Sequence, residues 1–146
     1  RTIAKDSFAR IPIFGWYYAK GSVLVNRRSD ESRRRSFLEM KETLRQGMHM
    51  SVYPEGTRNR SNDPLKSFHD GAFRLAVETR NAVIPAVIFN TKKALPVHKT
   101  FYFMPHRVEI HFLPEIPVEG KTARELKEEV FRVMWDYYLQ NSKSLN

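Results

Sequence analysis

Two short strand-like runs, 22–26 and 48–53, bracket a run of helical period, and that succession constrains the fold more than any other feature of the chain. In the middle run Phe37, Met40 and Leu44 recur at helical spacing, Asp30 and Glu31 carry the negative charge that suits a helix start, and Gly47 supplies a stop. In the second strand Met48, Met50 and Val52 alternate with His49, Ser51 and Tyr53, which predicts one face more buried than the other. Strand, helix and strand joined this closely predict a right-handed parallel crossover.

The remainder continues the alternation. Asp6 or Ser7 is placed to cap a short helical stretch, and Pro12 suits the first turn of a helix reaching about Tyr18. Asn62-Asp63-Pro64 predicts a turn, 71–79 a helix, 82–89 a buried strand interrupted by Pro85, and 107–113 an alternating strand. Thr122 and Glu125 have the spacing of a capping box, ahead of a helix with Leu126, Val130, Val133, Met134 and Tyr137 on one face. The expected fold is α/β, a mixed and largely parallel sheet flanked by helices, in one domain over 1–146.

The loop after the second strand carries chemistry. Pro54 lacks a backbone donor and ends the ladder, Gly56 lets main chain approach a ligand, and Thr57 offers a hydroxyl. Arg58 and Arg60 add guanidinium forks that match phosphate oxygens bidentately. Glu55 orients Arg58 or a neighbouring backbone N–H, or accepts from a substrate hydroxyl. The composition suits a bound phosphate; a polar turn with two solvated arginines is the competing reading.

Tyr53-Pro54-Glu55-Gly56-Thr57-Arg58, followed by Arg60-Ser61, resembles the Pro-Glu-Gly-Thr-Arg block of the glycerolipid acyltransferases. Lys5, 11–16 and Gly21-Ser22-Val23-Leu24-Val25-Asn26-Arg27 are similar to that family's second block, a glycine followed by a strand ending in Arg. Phe68, Gly71, Ala72 and Ala76 resemble the segment after the Glu-Gly-Thr-Arg block, and 83–87 the short apolar block around a proline. Asn26 stands where Asp is more frequent, Leu24 where an aromatic is common and Asn59 where Ser is usual. The family's first block, a His followed five positions later by Asp, is met by none of the five histidines. Arg1 to Lys5 reads as the end of a strand already under way, so the expectation is a C-terminal part of a longer protein, with the catalytic His and Asp upstream of Arg1.

The resemblance implies a glycerol-3-phosphate acyltransferase-like fold and transfer of an acyl group to the free hydroxyl of 1-acyl-glycerol-3-phosphate, giving phosphatidic acid. Glycerol-3-phosphate or another lipid is the alternative acceptor. The acyl donor is acyl-carrier protein or acyl-CoA, with no further cofactor and no metal. Glu55, Gly56, Thr57, Arg58, Arg27, Gly21, Lys5 and Arg60 are the implied substrate-binding residues. Arg27 and Arg58, at the ends of two strands, are expected to converge on the acceptor phosphate.

Net charge is +9, which predicts acidic partners. The absence of cysteine excludes disulfides and a cysteine nucleophile. Phe8, Ile11, Ile13, Phe14, Trp16, Tyr17 and Tyr18, flanked by Arg10 and Lys20, have the composition of an interfacial element. Core packing is the competing reading for this cluster, and a solvated helix face for 33–35. With the basic excess at 27–28, 33–35, 92–93, Lys99 and Arg107, the expected partner is an anionic membrane surface on the cytoplasmic side. A basic nucleic-acid-binding module is the competing class. It lacks a helix-turn-helix, zinc spacing or aromatic ribonucleoprotein motif here, so nucleic acid is not the expected partner.

Overall fold

The computed structural model describes residues 1–6, 9, 11–26, 29–96 and 104–142. Ser7, Phe8, Arg10, Arg27, Arg28 and Lys99, which carry expectations above, lie outside the described residues. The architecture is mixed α/β, with a parallel and an antiparallel strand pair and five helical segments among the described residues.

β1 (Thr2–Lys5) pairs in parallel with β2 (Ser22–Val25), in a register that sets Thr2 beside Ser22 and Lys5 beside Val25. The opposite edge of β1 takes Ser51, whose N–H donates to the Arg1 carbonyl at 2.8 Å and whose carbonyl accepts from Ile3 N–H at 3.3 Å. That bridge is also parallel. β1 therefore lies in the middle, and the crossover through α2 (Asp30–Arg45) steps over it. The strand expected over 48–53 is reduced to this bridge, because the Pro54 turn takes over three residues later.

The second pair is antiparallel. β3 (Ala86–Phe89) runs against β4 (Glu109–Phe112), with Val87 opposite His111. Val83 continues the contact alone, through reciprocal bonds to Ile116 of 3.0 and 2.8 Å. Regular pairing of the predicted 82–89 strand begins after Pro85, which has no N–H to donate; its carbonyl still accepts from Leu113 at 2.9 Å.

α1 (Phe14–Gly21) starts later than Pro12 suggests, because Ile13 has φ 64°, outside the helical region. A Cβ on Gly15 would sit 2.1 Å from the Ala9 carbonyl oxygen, so that contact requires glycine. α2 is capped by Ser29, which accepts from Ser32 N–H at 3.2 Å, while Asp30 pairs with Arg33. α3 (Gly71–Thr79) ends on Arg80 in the left-handed region. α5 (Ala123–Asn141) has both bonds of its Thr122–Glu125 capping box.

Two apolar clusters hold these pieces, and α3 belongs to both. Leu75 packs with Val23 and Met40 under the parallel strands; Phe73 and Ala76 pack with Val87, Phe89, Leu126, Val130 and Met134 between the antiparallel pair and α5. The helix face predicted for α5 is the one that is buried.

Candidate anion-binding site

β2 and the Ser51 segment both run parallel to β1, so Val25 and Tyr53 leave the sheet at one edge. Lys5, paired with Val25, ends β1 at that same edge. Open α/β sheets place ligands there. Gly21 instead precedes Ser22 at the far end of β2 and is not brought to the loop. Arg27 lies outside the described residues.

From Tyr53 the chain makes a closed excursion to His69. Gly56, with φ 67°, turns it, and its N–H donates to the Tyr53 carbonyl at 3.0 Å. His69 N–H donates to the Pro54 carbonyl at 2.9 Å, joining the two ends. The Glu55 carboxylate accepts from Lys66 N–H at 3.2 Å. Of the roles open to Glu55, the backbone one is observed. Leu65 and Phe68 bury the returning segment, with Phe68 stacked on Phe73 at 5.9 Å and edge-on to Phe131 at 5.0 Å.

The tip has its own frame. Asn59 Oδ1 accepts from the N–H and the hydroxyl of Ser61, at 2.9 and 2.8 Å, and Asn59 Nδ2 donates to the Asp63 carbonyl at 3.0 Å. Ser61 Oγ accepts from Asp63 N–H at 3.2 Å. These bonds hold the predicted 62–64 turn and explain what Asn does at a position where Ser is usual.

An open cleft of about 500 Å³ lies along this loop, lined by Thr57, Arg58, Arg60, Ser61, Asp63 and Lys66 among others. Arg58 donates to the Leu95 carbonyl. Among the described residues, neither Arg58, Arg60 nor Lys66 has a carboxylate partner within ion-pair distance. Asp63 is the one carboxylate lining the cleft. Three cations against one carboxylate, none of them ion-paired, on a framed loop favour an anion, phosphate above all.

Sequence reasoning missed Lys66, which enters the cleft by way of the Glu55 bond. It also missed α4 (Thr91–Ala94), a single helical turn after β3. Nothing local marks α4, because its place beside the loop is set by contacts more than thirty residues apart. No group of three or more His, Asp or Glu suited to a metal occurs among the described residues.

A model of the acyltransferase family matches residues 1–89. The 1-acyl-sn-glycerol-3-phosphate acyltransferase of Borreliella burgdorferi is 28% identical over 144 residues, covering 98% of this chain and 56% of that protein. The human 1-acyl-sn-glycerol-3-phosphate acyltransferase beta is 31% identical over 137 residues, covering 87% of this chain and 46% of its own length. In structure, the 1-acyl-sn-glycerophosphate acyltransferase PlsC of Thermotoga maritima superposes with a TM-score of 0.76 at 24% identity, covering 95% of this chain and 55% of that one. The expected glycerol-3-phosphate acyltransferase-like fold is thus the one found. The chain spans about half the length of these relatives. With the matched residues running from β1 through the Glu55–Ser61 loop to the end of β3, the chain belongs to the acyltransferase family.

Proposed function

We propose that this chain forms the acceptor-binding part of an O-acyltransferase that acylates 1-acyl-glycerol-3-phosphate to phosphatidic acid. The observation that carries this reading is the cationic cleft of Arg58, Arg60 and Lys66, none ion-paired, on the loop framed by Glu55 and Asn59. The relatives named 1-acyl-sn-glycerol-3-phosphate acyltransferase support the choice of acceptor.

In this reading the phosphate of the acceptor sits against Arg58 and Arg60, with Thr57 donating its hydroxyl and Gly56 allowing main chain to come close. Arg58 gives one N–H to the Leu95 carbonyl and keeps others for the ligand. Lys5, at the same sheet edge, and Arg27, two residues past β2 in sequence, add charge. The acceptor hydroxyl attacks the thioester carbonyl of acyl-carrier protein or acyl-CoA; a C–O bond forms, the C–S bond breaks, and the hydroxyl proton ends on the departing thiol. The base that carries the proton is a His held by an Asp. No His in this chain has the His-to-Asp spacing of that pair, so the base is assigned to a segment outside these 146 residues.

Membrane contact belongs to the same proposal. α1 and the turn before it expose Ile11, Ile13, Trp16 and Tyr17, with Ile13 91% and Tyr17 76% accessible, and Lys20 Nζ lies 3.8 Å from the Trp16 ring centre. Aromatic, aliphatic and cationic groups together suit the cytoplasmic face of an anionic bilayer. No helix among the described residues is long and apolar enough to cross a membrane.

Release of free thiol from acyl-CoA or acyl-carrier protein, with lysophosphatidic acid as acceptor, tests the reaction. The full protein is expected to turn over and the 146-residue chain alone is not. Arg58→Ala in the full protein is expected to raise the acceptor KM about tenfold, the lower end for a charge-assisted bond of roughly 1.5–3 kcal/mol at an exposed site, with the donor KM little changed. An unchanged acceptor KM removes Arg58 from the site.

A further inference from the structure

Lys92 lies in α4, beside the loop. Its Nζ donates to the Ser61 carbonyl at 2.6 Å, across 31 residues of sequence, and Ser61 lines the cleft. In the opposite direction, Arg58 of the loop donates to the Leu95 carbonyl just past α4. The helical turn and the loop are therefore tied twice, each time by a cation on a neutral backbone oxygen. Among the described residues Lys92 has no carboxylate within ion-pair distance, and its ammonium has three donors, of which the Ser61 bond uses one. A carbonyl holds such a cation in place without neutralising it. A phosphate oxygen, carrying charge of its own, is the stronger acceptor.

We propose that Lys92 is a phosphate-contacting, specificity-determining residue of the acceptor site, with α4 as its outer wall, and that it favours a phosphomonoester over a phosphodiester. Lys92's role rests on the acceptor site proposed above. The preference follows from charge: attraction between Lys92 and the ligand scales with ligand charge, and near neutrality a phosphomonoester carries close to two negative charges against one for a diester. Arg58 and Arg60 attract both ligands; a further cation widens the gap between them.

The test is binding to the full protein at neutral pH, measured calorimetrically with three probes of one acyl length: lysophosphatidic acid, lysophosphatidylglycerol and monoacylglycerol. Lys92→Gln is expected to weaken lysophosphatidic acid about tenfold, the lower end for one charge-assisted contact at an exposed site, and lysophosphatidylglycerol less than about threefold. Lys92→Arg is expected to restore most of the loss, which a merely structural tether need not do. Unchanged lysophosphatidic acid binding in Lys92→Gln, with binding lost in Arg58→Ala, overturns the role of Lys92 and leaves the acceptor site standing. Equal weakening of both lysolipids also overturns it, since that outcome reports the tether to Ser61 and no charge discrimination. If the parent binds monoacylglycerol as tightly as lysophosphatidic acid, the acceptor site itself is wrong and Lys92 falls with it.

Discussion

Gly56 shows how far single residues decide the site. Its φ of 67° reverses the chain between Pro54 and Arg58, and a side chain there meets the left-handed penalty of about 1–2 kcal/mol. Gly56→Ala is accordingly expected to lower the unfolding free energy by about that amount, checked by chemical denaturation, and to weaken the phosphate ligand with it because Arg58 is carried on the same turn. Retained stability and affinity together show that the turn relaxes at no cost. Glu55 was legible as a carboxylate out of place beside an anion, but three roles fitted it. Its partner, Lys66 N–H, is eleven residues on, and only the return of the loop onto Phe68 brings that donor within 3.2 Å.

At the scale of elements, periodic and capped segments were the legible ones. α2, α3 and α5 occupy the predicted stretches, since apolar stripes at helical spacing must be buried and Thr122 with Glu125 closes its own helix start. The 48–53 run predicts more strand than forms: β1 lies alongside, but only Ser51 bridges to it before the Pro54 turn, because alternation states which face is buried and not how far the pairing runs. α1 is the element whose composition and exposure agree most directly on a role. Trp16→Ala combined with Tyr17→Ala is expected to lower partitioning onto vesicles containing anionic lipid by at least about tenfold, from the apolar area withdrawn, as read by co-sedimentation. Unaltered partitioning removes α1 from the membrane contact.

Across the whole molecule, helices are joined by exposed ion pairs whose carboxylates are held below their usual range. A hydrogen bond from Lys127 at 2.5 Å holds the Asp70 carboxyl below its usual range, tying α5 to the start of α3. Glu78 is lowered by the Lys41 hydrogen bond and then by that of Arg74, tying α2 to α3. The backbone N–H of Thr122 lowers Glu125. A carboxyl depressed in the folded state adds stability above its unfolded pKa and loses it as pH falls through the folded one. Thermal midpoints are therefore expected to hold from neutrality to about pH 5 and to drop below about pH 4, modestly, because exposed pairs are screened by solvent. Glu78→Gln is expected to make the acid-side fall shallower; an unaltered slope shows that Glu78 does not contribute to it.

The sequence by itself determined the α/β class, the helix-forming stretches and the loop chemistry, because periodicity, capping and turn residues act over a few positions. It also placed Arg58 and Arg60 together, since two residues of one turn cannot be far apart. The tertiary structure alone decided that β1 lies between β2 and Ser51, that Glu55 closes the loop through Lys66, and that Lys92 meets Ser61. Those contacts join residues up to 50 positions apart, and bringing them together is favoured by burying Val23, Met40 and Leu75 under the parallel strands and Leu65, Phe68 and Phe73 beneath the loop.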